Sequence, residues 1–155
     1  MKNIRKKQKI KGLKNDISFK KAARIITNDK LINLIKLIEK YLKEESIENL
    51  HDLRIAIRRL RYSIELFYDC FPEKTYNDFY RFLEMLQDKL GEARDLDVMS
   101  EKLHYFETNY GITIPLNLHS EMEIKRTEYQ IQIIELLKIF MSSKLTKKFL
   151  IIKPR

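Results

Sequence analysis

Four side chains able to carry positive charge recur at intervals of three and four residues in the stretch HDLRIAIRRLRY, residues 51–62: His51, Arg54, Arg58 and Arg61. At about 100° per residue on a helix they fall along one stripe. Leu53, Ile57, Leu60, Ile64 and Phe67 fall along a neighbouring apolar stripe. Like charges stacked on adjacent turns repel, so such a column is stabilised when an anion lies along it. Guanidinium suits this task. Its planar fork of donors matches phosphate oxygens, and it stays charged at any cellular pH. A helix repeats every ~5.4 Å, which lets a ladder of arginines follow an extended polyanion. Arg59 points about 100° away from the main stripe, towards another face or a partner. The competing reading of the arginines is a solvated face paired with acids from the next helix. His51 can add a charge near pH 6.5 or remain a structural side chain near the start of its helix.

A second group lies in LQDKLGEARDLDV, residues 86–98. Arg94 is a candidate ligand residue, and Lys89 extends the basic face one turn earlier. Asp95 and Asp97 are expected to orient the arginines, because a carboxylate touching phosphate would repel it. A metal bridging these acids to phosphate is the alternative role. Lys20 and Arg24 near the start of the first helix, with Arg126 and Lys125 further along, are weaker candidates. His104 and His119 are expected at the surface. No nucleophile–base constellation, glycine-rich phosphate loop or Cys/His metal cluster is present, so neither catalysis, a resident metal nor a cofactor is expected.

The elements that must position these residues are helices. In 155 residues there are three Gly, three Pro and no Trp, with 44% hydrophobic residues. That composition suits one core built from long helices. A basic tail is expected over 1–16 and a single helical domain over 17–155. Apolar spacing places a first helix at about 18–44. The second runs at about 47–71, capped by Ser46 and stopped before Pro72. The third starts at Thr75 or Asn77 and is interrupted at Gly91. Glycine inside a helix costs roughly 1 kcal/mol relative to alanine, which points to a kink or to close approach of a neighbour or ligand. A loop follows at 109–115, then a fourth helix at about 117–141 and a short last helix or extended tail. The fold class expected is all-α, an up-down four-helix bundle.

Charge is unevenly distributed. The net +9 is made of +9 in residues 1–24, −6 in 25–137 and +6 in 138–155. The central arginines are therefore placed in an acidic stretch. A basic balance points to polyanions: nucleic acid, an anionic membrane surface or phosphate polymers. No apolar run of about 18 residues is present to span a membrane, and the basic N-terminus lacks the apolar block of a signal peptide. Cys70 is the only cysteine, which fits a reducing, cytoplasmic setting.

The two blocks, His-Asp-x-Arg with its Arg-Arg-x-Arg finish and then Leu-Gly-x-x-Arg-Asp-x-Asp some thirty residues on, resemble the CHAD domain, the conserved histidine α-helical domain. The resemblance implies helical bundles with an inward-facing basic cavity that binds inorganic polyphosphate. Full CHAD domains are about twice this long, with two bundles related by pseudo-two-fold symmetry, so this chain resembles a single repeat. A homodimer would restore the two-bundle arrangement. The expected function is a non-catalytic polyphosphate-binding module. The alternatives are a nucleic-acid-binding helical protein and a structural or partner-binding bundle. Few aromatics interleave with the arginine stripe, which disfavours base stacking. Glu121-Met122-Glu123-Ile124-Lys125 resembles the Glu-x-Glu-x-Lys signature of CYTH-type triphosphatases. That signature needs a strand; in a helix the two glutamates diverge by about 200°, and it is read as coincidence.

Overall fold

A computed structural model describes residues 10–151, and all regular structure among them is helical. Five α-helices follow in order: α1 (Phe19–Lys43), α2 (Ile47–Leu66), α3 (Glu73–Tyr110), α4 (Leu116–Ser142) and α5 (Lys144–Ile151). Part of the basic tail, residues 1–9, lies outside the described residues. Residues 10–16 form turns, with Gly12 at φ +86° beside Ile25 of α1.

Local chemistry sets each boundary. Ser18 caps α1 by accepting from the Lys21 N–H at 3.3 Å. Ser46 caps α2 by accepting from the Asn49 N–H at 3.2 Å, and Glu48 sits in the first turn where the helix dipole favours an acid. The Asn49 amide also donates to the Glu44 carbonyl at 2.8 Å, which fixes the short α1–α2 connection. The Asn28-Asp29 pair does not interrupt α1.

Two expected ends move. The second helix stops at Leu66, and a 3-10 turn over Tyr68–Cys70 replaces its expected last turn. Phe67, Cys70 and Phe71 are all buried there. Phe71, next to the proline, is extended at φ −114° and ψ 152°, as the residue before a proline prefers. The third helix starts two residues earlier than Thr75, directly after Pro72, whose φ of −62° is already suited to helix entry. It then runs unbroken through Gly91 to Tyr110. Gly111 closes it at φ +62°, donating its N–H to the Glu107 carbonyl at 3.2 Å.

Consecutive helices pack on one another, α1 also meets α4, and α5 rests on α3 and α4. The core runs along α1 (Leu31, Leu34, Ile38), α2 (Leu53, Ile57, Leu60, Ile64), α3 (Phe79, Leu83, Leu86, Leu90) and α4 (Ile133, Leu137, Phe140). Phe149 of α5 stacks on Phe79 at 4.1 Å and on Phe71 at 4.8 Å. Truncating a buried Phe such as Phe79 to Ala costs about 3–5 kcal/mol, against about 1 kcal/mol for loss of a cap such as Ser46. Packing rather than capping therefore holds α2 and α3 in the relative position that builds the site.

Candidate functional site

Between α2 and α3 lies an open groove of about 450 Å³. Arg54 and Arg58 line one wall. Gln87, Asp88, Gly91, Glu92 and Asp95 line the other. The walls are periodic: residues 54 and 58 are one turn apart, and residues 87, 91 and 95 stand on successive turns. Gly91 lies at the middle of the α3 wall. A Cβ added there would meet nothing within 4 Å. No protein neighbour requires this glycine, so the close-neighbour explanation of it is set aside.

The groove is of mixed charge rather than uniformly basic. Two guanidinium groups face three carboxylates. Glu92 is paired with Lys89 at 2.6 Å. Among the described residues Arg54, Arg58, Asp88 and Asp95 have no ion-pair partner within 4.0 Å. The Gln87 Oε1 atom is buried and has no hydrogen-bond donor among the described residues.

The structure gathers only part of the sequence-derived set here. His51 is exposed near the start of α2, outside the groove lining, and Arg59 is exposed on an adjoining face. Arg61 is drawn into the frame of the fold. It pairs with Glu65 at 3.3 Å and lies 5.7 Å from the Tyr80 and Tyr62 rings. The Tyr80 hydroxyl donates to Glu65 at 2.6 Å, which locks α3 to α2. That bond to a carboxylate, aided by burial, pushes the Tyr80 phenol up to about 12. Lys89 sits 5.2 Å over the Tyr129 ring while holding Glu92. Arg94 reaches along α3 to Glu101 at 3.2 Å. Lys20 and Arg24 are exposed on the first turns of α1.

Arg126 faces the other side of α3. Its Nε donates to Asp97 at 2.9 Å, so Asp97 serves an α3–α4 tie rather than the α2 arginines. A nearby cavity of about 340 Å³ is lined by Leu96, Ser100, His104, Met122, Glu123 and Arg126 among others. Tyr41 lies on the same side of α3, and burial is the main reason its phenol is pushed up to about 12. His119, expected at the surface, is partly buried. Its Nε2 lies 2.9 Å from Glu107, and this bond holds the Glu107 carboxyl below its usual range. Glu121 and Glu123 are both exposed on a helix, as the rejection of the strand signature requires.

Gln87 and Asp88 were not singled out from the sequence, although both lie inside the second block. Their signal is spacing: they precede Gly91 by four and three residues, which puts all three on one face. Recognising it requires knowing that this face looks at Arg54 and Arg58.

An all-helical domain with an arginine-bearing groove between its second and third helices is the class that fold and site define. The family model of the CHAD domain matches residues 5–104. That is close to two thirds of the chain, it spans both sequence blocks and the whole groove, and the chain belongs to the CHAD domain family. No match was found among the curated proteins or the solved structures. No helix among the described residues is long and apolar enough to cross a membrane.

Proposed function

We propose that this chain is a non-catalytic, cytoplasmic module that binds inorganic polyphosphate, with Arg54 and Arg58 as its anchors. One observation carries the reading: two guanidinium groups one helical turn apart line an open groove, and no carboxylate neutralises either among the described residues. Each offers a full fork of donors to phosphate oxygens. Membership of the CHAD family supports the choice of ligand. His51 and Arg59, with Lys20 and Arg24 on α1, are the outlying contacts of a long chain. Arg61, Lys89, Arg94 and Arg126 already hold carboxylates; they bind phosphate only by exchanging partners and rank below the others.

Binding of this kind is multivalent and releases counterions, as phosphate backbones do in nucleic acid. We read the helices as one up-down four-helix repeat with α5 appended, and we propose that a homodimer supplies the second repeat. A monomeric mass in solution at micromolar concentration removes the dimer.

The test is the affinity of defined-length polyphosphate for the native chain and for Arg54→Ala, Arg58→Ala and the double variant. Each lost charge-assisted contact is expected to cost about 1–3 kcal/mol. An unchanged affinity in the double variant takes the groove out of the reading. Competition by RNA and duplex DNA at fixed salt separates the nucleic-acid alternative. A purely structural bundle binds no anion beyond what its net charge attracts.

A further inference from the structure

We infer that the α2/α3 groove takes phosphate chains that end in a nucleoside, such as a nucleoside triphosphate, with the base stacked on Tyr62. The inference rests on the phosphate reading of Arg54 and Arg58 and deepens it by naming a ligand class. Its starting point is the continuation of the α2 wall. Arg54, Arg58 and Tyr62 follow one another at intervals of four residues. An aromatic ring therefore stands one turn, about 6 Å along the axis, beyond the second guanidinium. Tyr62 is 55% exposed. The facing wall carries carboxylates, which blunt the attraction of charge alone, so an anion gains here from a contact that does not depend on charge.

A single exposed aromatic is ordinary on a protein surface. Tyr62 differs in being backed by a row of side chains that crosses from α2 to α3. The Arg61 guanidinium lies 5.7 Å from the centre of the Tyr62 ring and 5.7 Å from that of Tyr80. Glu65 holds Arg61 at 3.3 Å and accepts from the Tyr80 hydroxyl at 2.6 Å. Tyr80 in turn stacks on Tyr76, with ring centres 5.6 Å apart. A ring held in this way loses little freedom when a base settles on it. A nucleic-acid strand asks for a succession of free platforms. Here Tyr76 and Tyr80 stack on each other and are partly buried, and Tyr68 packs edge-on against Tyr76 at 4.8 Å. Two arginines followed by one free ring match several phosphates followed by one base.

The experiment compares ATP with inorganic tripolyphosphate at fixed salt, without divalent cations. The full native chain, Tyr62→Ala, Tyr62→Phe and Arg54→Ala/Arg58→Ala are titrated with each, and melting curves confirm that the variants fold. Tripolyphosphate carries at least as much charge as the nucleotide, so electrostatics alone gives ATP no advantage. The native chain is expected to bind ATP roughly tenfold more tightly, within the range for stacking a base on an aromatic ring. Tyr62→Ala is expected to abolish that preference and to leave tripolyphosphate affinity unchanged. Tyr62→Phe is expected to keep it, because stacking needs the ring and not the hydroxyl. Equal native affinities for the two ligands, or a preference that survives in Tyr62→Ala, overturn the inference. So does a short single-stranded RNA that binds more tightly than ATP at equal phosphate concentration and depends on Tyr62, which assigns the ring to nucleic acid. If the arginine variant binds tripolyphosphate as well as the native chain does, the phosphate reading of the groove fails. If it binds tripolyphosphate poorly while the native chain shows no preference for ATP, only the nucleoside inference fails.

Discussion

Arg126 on α4 donates its Nε–H to Oδ1 of Asp97 on α3 across 2.9 Å, and only 3% of the Asp97 side chain reaches solvent. The other carboxylate oxygen of Asp97 is buried without a partner among the described residues. The arginine is therefore the main compensation for a buried negative charge. Removing one member of such a pair leaves the other uncompensated, which costs about 3–5 kcal/mol. Arg126→Ala is expected to fall at the low end of that range, because the arginine itself is about a third exposed. At about 2–4 °C per kcal/mol for a domain of this size, a thermal melt should show a clear drop. Polyphosphate affinity of the folded variant should change little. A large loss of affinity with an unchanged melting temperature would return Arg126 to the ligand set.

Arg54 and Arg58 are expected to control the salt dependence of binding. Each phosphate contact neutralised on a polyanion contributes roughly 0.7–0.9 to the slope of log affinity against log salt in nucleic acids. Arg54→Ala and Arg58→Ala should each flatten the slope by about that amount for polyphosphate. Arg59→Ala, on an adjoining face, should flatten it less. Titrations at three or more salt concentrations check the order.

Gly91→Ala separates stability from function. The residue is inside α3, and an added Cβ meets nothing within 4 Å. Alanine there should stabilise the helix by about 0.5–1 kcal/mol. The same methyl projects into the open middle of the groove wall, so polyphosphate binding should weaken. A melt and a binding isotherm on one sample test both. Tighter or unchanged binding would show that the ligand does not approach this turn.

Alkaline titration should expose the Tyr80–Glu65 bond. The Tyr80 phenol is raised to about 12, first by its hydrogen bond to Glu65 and then by burial. A phenol whose folded pKa lies above the unfolded value of about 10 contributes stability that is fully present below pH ~10. That contribution is lost as the pH rises through about 12. Glu65→Gln removes the carboxylate and should bring one tyrosine back towards the ordinary range. Tyr41, also raised to about 12 but mainly by burial, should remain late. Phenolate absorbance in the ultraviolet counts the difference.

Much of the frame was legible in the residues, for local reasons. Ser46 capping α2, the apolar stripes of the four long helices and the glycine–proline break before α4 depend on neighbours within about one turn, so spacing alone reveals them. Some boundaries shifted by a few residues: α2 gives way to a 3-10 turn at Tyr68–Cys70 before the chain reaches Pro72. Spacing could not show contacts between helices, such as that of His119 at the start of α4 with Glu107 near the end of α3.

The candidate site divides in the same way. By itself the sequence determined that this is an all-helical chain of the CHAD family with arginines in register on its second helix, because helical periodicity is a property of consecutive residues. Arg61, Lys89 and Arg94 meet carboxylates of their own helices, a matter of local spacing. Tertiary structure decided that Arg126 meets Asp97 across helices and that Arg54 and Arg58 line a groove. For Arg126 and Asp97 the partners are 29 positions apart. The groove itself joins α2 residues to α3 residues at least as distant in the chain. Pairing across helices depends on which faces the core turns towards each other, and no spacing within a single helix encodes that.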